Sequence, residues 1–221
     1  MININDLHDT VHRIAAKQQH GTISPTDFNK YANLSNLDVF NTYLGKIKDY
    51  YQTGKAVPKI GVGMNKDLDK ALLPFFVPDS PVTAIVGKAV VPANSQFISS
   101  VVSGGKSVKW VPFNKRESYL NSSIDVPTAD YPIYVDLSTE IEVYPTSLTA
   151  IKISYYKTPT TVNWGYSLAS GKPVYSPSAS TNFEWNETQK IELLMRILSY
   201  VGISIREGEL TQYAAIGTQQ A

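Results

Sequence analysis

The tripeptide Gly105-Lys106-Ser107 reproduces the end of the phosphate-cradling loop G-x-x-x-x-G-K-[ST], so nucleotide binding is the first chemistry to weigh. That loop opens with a glycine, which lets successive backbone N–H groups curl around phosphate oxygens; here the position holds Ser100. It also runs directly into a helix whose N-terminus faces the phosphates. Val108-Lys109-Trp110-Val111 follows instead, alternating and rich in β-branched and aromatic residues, which is strand chemistry. Two such runs, Gln96 to Val102 and Val108 to Val111, flank a polar tip containing Gly104-Gly105. The sequence therefore predicts a β-hairpin there.

The other constellations are thinner. His8 and His12 are spaced i, i+4, as two metal ligands on a helix would be, but no glutamate completes H-E-x-x-H, and nothing nearby fixes a tautomer. Gly61-x-Gly63 lacks the third glycine of a dinucleotide fingerprint, and no clean strand precedes it. Glu140 and Glu142 fall on one face of a strand, where alternating charge is ordinary solvent-facing sequence and no opposing acid makes a glycosidase pair. All three histidines precede Gly21 and no G-x-S-x-G elbow exists, which leaves a Ser-His-Asp triad nothing to draw on. No catalytic residue, metal ligand or cofactor is expected. Basic residues interleaved with aromatics gather around the Gly104-Gly105 tip: Lys106, Lys109, Trp110, Lys115 and Arg116 are the candidate DNA-facing set.

Composition narrows the classes further. Lys plus Arg is 20 against Asp plus Glu 19, a formal net charge of +1, so no overall field gathers nucleic acid or an anionic membrane. The chain has no cysteine, which removes disulfides, thiolate zinc sites and cysteine nucleophiles together and suits a reducing cytoplasm. Its first residues lack a signal-peptide layout, and no apolar run reaches the ~18 residues of a membrane span. Hydrophobic residues at 43% across 221 residues supply a real core, while 14 tyrosines beside 18% charged residues favour surfaces that are half buried and half wet.

The elements that would position these residues follow from periodicity. Ile4, Leu7, Val11 and Ile14 form a helical stripe with Asn3 or Asn5 as cap. Ser24-Pro25 starts a second helix carrying Phe28, Tyr31, Ala32, Leu37, Phe40, Tyr43, Leu44 and Ile47, with a break expected near Asn33 to Asn36. Residues 52–81 read as a Gly/Pro-rich linker or arm with one short helix at Asn65 to Leu73. Residues 82–165 switch to period two, as in Ile133-x-Val135-x-Leu137, Ile141-x-Val143 and Ile151-x-Ile153-x-Tyr155, and form an antiparallel β-domain. Residues 166–180 read as an extended loop. Asn186 with Gln189 suggests a capping box before a stripe of Ile191, Leu194, Met195, Leu198 and Val201, and a last helix is expected from Glu207. The fold class is α+β. Residues 1–51 and 181–221 form one helical bundle, and the antiparallel β-domain, sandwich- or barrel-like, is inserted within it.

Three stretches together resemble the head-to-tail connector (adaptor or ring) virion proteins of tailed bacteriophages, short-tailed or crAss-like. They are GTISPTDFNKYANLSNLDVFNTYLG (21–45), YPIYVDLSTEIEVYPTSLTAIKISYYKTPTTVNWG (131–165) and TNFEWNETQKIELLMRILSYVGISIREGELTQYA (181–214). The resemblance implies a homo-oligomeric ring of twelve copies beneath the portal protein, contacting a downstream tail ring or nozzle protein. Double-stranded DNA passes through its lumen and no membrane is involved. It further implies a place at the portal vertex of the virion, reached by assembly in the host bacterial cytoplasm. Tyr166, Tyr175, Glu209 and Tyr213 are the expected interface residues. A second reading makes the β-domain a carbohydrate- or host-surface-binding module of a phage decoration or tail protein, with Trp110, Trp164 and Trp185 as stacking platforms.

Overall fold

The computed structural model describes residues 1–17, 23–53 and 62–205. Among them are five α-helices: α1 (Ile4–Lys17), α2 (Pro25–Thr53), α3 (Val62–Leu72), α4 (Arg116–Leu120) and α5 (Lys190–Ile205). The strands are β1 (Phe76–Thr83), β2 (Lys88–Val90), β3 (Ser95–Ser103), β4 (Lys106–Trp110), β5 (Ile133–Asp136), β6 (Glu140–Tyr144), β7 (Ala150–Lys157), β8 (Tyr166–Ala169) and β9 (Lys172–Tyr175). The protein is mixed α+β and divides into two compact units: Met1–Pro74 with Pro159–Ala221, and Phe75–Thr158.

In the first unit α5 packs against α2 and α1, and α3 against α2. Ser24 caps the start of α2: the Asp27 N–H donates to Ser24 Oγ at 3.1 Å and the Ser24 hydroxyl donates to Asp27 Oδ2 at 2.6 Å. The helix then runs unbroken past Asn33 and Asn36, contrary to the expected break. The reason is where those amides point. Asn33 Nδ2 donates to the Val162 carbonyl at 2.9 Å while its Oδ1 accepts the Val162 N–H at 2.9 Å. Asn29 Oδ1 accepts the Trp164 N–H at 2.7 Å, and Asn36 Nδ2 donates to the Thr160 carbonyl at 3.2 Å. Three asparagines on one helical face thus act as a strand partner for the extended segment 160–164, directing most of their polar groups to a distant backbone, while Asn33 Nδ2 also reaches the Asn29 carbonyl of its own helix at 2.8 Å. Asn36 and Ser35 occupy the buried face, so Leu37, expected in the stripe, is 42% exposed. On α5 the buried positions are Leu193, Ile197, Leu198 and Val201, and Ile191 faces solvent.

The expected capping box before α5 is also different. Asn186 makes no cap bond; its Nδ2 donates to the Lys70 carbonyl at 3.1 Å, closing the end of α3. Polar contacts fix the register of α2 on α5: Arg196 is ion-paired with Asp38 and with Glu192 at 3.0 Å, and the Tyr43 hydroxyl donates to Glu192 Oε2 at 2.9 Å. Burial, then the Glu192 charge, pushes the Tyr43 phenol up to about 12. The helix expected from Glu207 lies outside the described residues.

The second unit is a seven-stranded sheet in the order β1-β7-β3-β4-β5-β6-β2, with β1 and β2 returning beside each other so that the sheet is nearly closed and barrel-like. Ile141, Val143, Ile151, Ile153 and Val101 fill its interior. The sheet is not wholly antiparallel: β4 and β5 pair in parallel, Lys109 with Ile133 and Trp110 with Tyr134. The connection from Val111 to Pro132, containing α4, is long enough to carry the chain back for a parallel start. β1 falls where the sequence reads as an arm, because Pro78 and Pro81 interrupt its pattern. An edge strand tolerates prolines, having one side with no ladder to complete.

Candidate functional site

The hairpin that replaces a nucleotide loop is as the sequence predicts. β3 and β4 pair through Ser103 and Lys106, and the two residues between them, Gly104 and Gly105, have φ of 57° and 78°. Two successive positive φ values define a type I′ turn, whose backbone N–H groups are set by the strand ladder rather than gathered into an anion cradle.

The four candidate DNA-facing cations do not form one open patch. Lys106 is ion-paired with Asp130, whose carboxyl it holds below the usual range. Lys109 Nζ donates to the Tyr119 hydroxyl at 3.1 Å and sits 5.0 Å from that ring's centroid. Arg116 donates to Glu142 Oε2 at 2.8 Å and to Glu117 at 2.8 Å. Glu142 also accepts from the Tyr144 hydroxyl at 3.0 Å; burial pushes its carboxyl up, but the bonds from Arg116 and Tyr144 outweigh this and leave it low. Lys115 is exposed and makes no ion pair among the described residues.

The residues with the most organised surroundings lie elsewhere, around Trp164. Tyr166 and Tyr175 face each other in register at the base of the β8–β9 hairpin, and each ring is stacked 5.9 Å from the Trp164 ring. Trp164 is also stacked on His8 at 3.9 Å and 11°, and His8 meets His12 at 4.3 Å and Phe28 edge-to-face at 4.9 Å. The indole Nε1 donates to Asn5 Oδ1 at 2.9 Å. The i, i+4 histidines on α1 therefore turn inward onto an aromatic column. Burial, then the neighbouring His12, holds His8 below the usual imidazole value, against the pull of Asp9; burial likewise lowers His12. Among the described residues no three His, Asp or Glu side chains gather as a metal-ligand group.

Gly165 locks the base of the hairpin. A side chain there would meet the Ala179 carbonyl oxygen at 2.4 Å, and Ser180 Oγ accepts the Gly165 N–H at 2.9 Å. Beyond this base the ribbon is uncovered: Leu168 is 70% exposed and Val174 48%. The sequence predicts an extended loop here and does not single out Leu168 or Val174. The signal was the alternation of Tyr166, Ser167 and Leu168 ahead of Ser170-Gly171, whose φ of 51° and 75° make a second type I′ turn. Glu209 and Tyr213 lie outside the described residues. Of the three tryptophans offered as platforms, Trp164 is 4% exposed and Trp185 0%, with Trp185 Nε1 donating to Asn36 Oδ1 at 2.7 Å; both are core, and Trp110 alone is open at 51%. No helix among the described residues is long and apolar enough to cross a membrane. The chain matches no protein-family model and no curated protein.

Proposed function

We propose that this chain is a structural subunit, without enzymatic activity, of a bacteriophage connector ring at the portal vertex. Twelve copies join the portal protein to a downstream tail ring or nozzle protein, and double-stranded DNA passes through the lumen during genome ejection. The ring assembles in the host bacterial cytoplasm and travels in the virion. In this reading α1, α2 and α5 are a helical bundle into which the barrel-like sheet is inserted.

The observation that carries the proposal is the β8–β9 hairpin. A two-stranded ribbon is marginal alone in water, and this one is held at its base by Trp164, Tyr166 and Tyr175 while presenting Leu168 and Val174 to solvent. A rigidly rooted arm with exposed apolar residues suits subunit docking, because little order is lost when a neighbour covers it. The paired cations support the lumen part of the reading. Phosphates bind by displacing counterions, and a wall whose Lys106 and Arg116 are already satisfied by carboxylates holds DNA weakly enough to let it slide.

The test replaces Ser167–Val174 with two glycines and compares particle mass and symmetry by light scattering and negative-stain averaging. The parent chain forms closed rings and the variant remains a folded monomer. Rings of unchanged size and stability in the variant would refute the role of the arm, and a parent with no tendency to assemble, alone or on portal protein, would refute the connector reading itself.

A further inference from the structure

The sheet unit leaves two large aromatic side chains in the open at one end of its strands. Trp110, the last residue of β4, is 51% exposed, and Phe113, three residues on, is 60% exposed, while Val111 between them is buried. β5 runs parallel to β4, so its C-terminal Asp136 arrives at the same end; β3 is antiparallel to β4, so its first residues, Ser95 to Phe97, arrive there too. Together these segments enclose a cleft of about 510 Å³ lined by Trp110, Phe113, Phe97, Gln96, Asp136 and Ser138, among others. That size holds a small ligand.

The chemistry of the lining selects a ligand class. Asp136 Oδ1 accepts the Ser138 N–H at 2.9 Å, which orients the carboxylate and leaves Oδ2 open to a donor from a ligand. Gln96 supplies a donor and an acceptor, and Ser138 a hydroxyl. No lysine or arginine lines the cleft. The guanidinium that backs Phe113, that of Arg116 at 5.1 Å from the ring centroid, is neutralised by Glu142 and Glu117. An anion therefore meets an uncompensated carboxylate, which disfavours phosphates, sulfated glycans and the DNA backbone. What fits is a molecule with one apolar face for the indole and an edge of hydroxyl donors for Asp136 and Gln96. A pyranose ring has that form. A proline-rich peptide would also use the aromatic rings, but it offers few donors to the carboxylate.

We propose that the Trp110–Asp136 cleft is a binding site for neutral saccharide units. The site belongs to the sheet unit alone and does not depend on the ring reading, because its residues are complete within one chain.

Fluorescence titration of the full chain tests this directly, since Trp164 and Trp185 are buried and any quenching by a sugar reports Trp110. The probes are neutral hexasaccharides of glucose, galactose, mannose and N-acetylglucosamine units at up to about 10 mM, a range that captures millimolar affinities. Saturation-transfer NMR on the same samples gives a second readout. At least one neutral probe binds saturably. Trp110→Ala weakens it by about tenfold or more and Asp136→Asn by about threefold or more, in the range of single well-placed contacts. Trp110→Phe retains most of the affinity, and all three variants keep the parent Tm. No saturable binding of any neutral probe overturns the proposal, as does unchanged binding by Trp110→Ala. Tighter binding of a heparin hexasaccharide overturns the ligand class, and tighter binding of a proline decapeptide replaces it with a peptide site.

Discussion

Replacing Asn33 with alanine removes three hydrogen bonds and leaves two of their partners without water. The side chain pairs with both the N–H and the carbonyl of Val162, a residue 1% exposed, and also donates to the Asn29 carbonyl at 2.8 Å. Each buried backbone group so stranded costs about 1–3 kcal/mol. The Asn29 carbonyl keeps its helical partner and adds little. Against this, alanine is the better helix former by roughly 0.5–0.7 kcal/mol. The net loss expected is about 1.5–5.5 kcal/mol. Two units can unfold separately, so the assay must report one of them. Trp164 and Trp185 belong to the helical unit and Trp110 to the sheet unit. In a Trp110→Phe background, tryptophan fluorescence during urea unfolding therefore follows the helical unit alone. Lys30→Ala, on the exposed side of α2, serves as the reference and changes stability by less than about 0.5 kcal/mol. If Asn33→Ala costs no more than that reference, the asparagine ladder does not hold the 160–164 segment.

Three other perturbations bear on the site and its supports. His8 and His12 are held below the usual imidazole value of 6.5, so the unfolded chain binds more protons than the folded one just below that pH. The stability of the helical unit is full above about pH 7 and falls as pH drops through about 6.5, and a His8→Phe, His12→Gln double variant flattens this slope in a Tm-versus-pH series; an unchanged slope refutes the assignment. Val86 is a β-branched residue at φ 51° that is 81% exposed, so Val86→Asn relieves strain at no loss of burial and raises stability by roughly 1 kcal/mol in urea unfolding of the sheet unit, whereas no gain means that no strain is stored there. Gly165→Ala drives a methyl into the Ala179 carbonyl and costs about 2 kcal/mol or more, and proteolysis within 166–176 should accelerate with it; wild-type cleavage rates would show that the hairpin base does not depend on that glycine.

The parts of the fold that the sequence disclosed are those in which local chemistry and tertiary structure agree. Gly104-Gly105 between alternating runs gives the β3–β4 hairpin, Ser24-Pro25 starts α2, and the period-two runs become β5, β6 and β7. What stayed hidden depends on partners far along the chain. Asn33 and Asn36 read as helix breakers because an asparagine ordinarily competes for its own backbone, and nothing local announces that Val162 and Thr160 will satisfy it instead. Pro78 and Pro81 mask β1 because only its position at a sheet edge makes them acceptable. At the candidate sites, residue type announced Lys106 and Arg116 as free cations, but Asp130 and Glu142, which neutralise them, are set by topology. Trp164 and Trp185 read as platforms beside Trp110, but an indole suits a core as well as an open face, and burial alone separates the two roles.

The pairing of Phe76 with Tyr156 has a consequence for how the protein is made. The sheet unit begins and ends on neighbouring positions of two adjacent strands, so once it folds, the segments leaving it start side by side. During synthesis the ribosome completes this unit before it releases the residues that α2 waits for, Thr160 to Trp164 and α5. A nascent chain that folded its inserted sheet first would turn a long loop into a short one and lower the entropy lost in bringing the two halves of the helical unit together. The same arrangement makes the sheet unit an exchangeable cassette. A foreign domain with adjacent termini, spliced between Phe75 and Thr158, would leave the helical unit's closure intact.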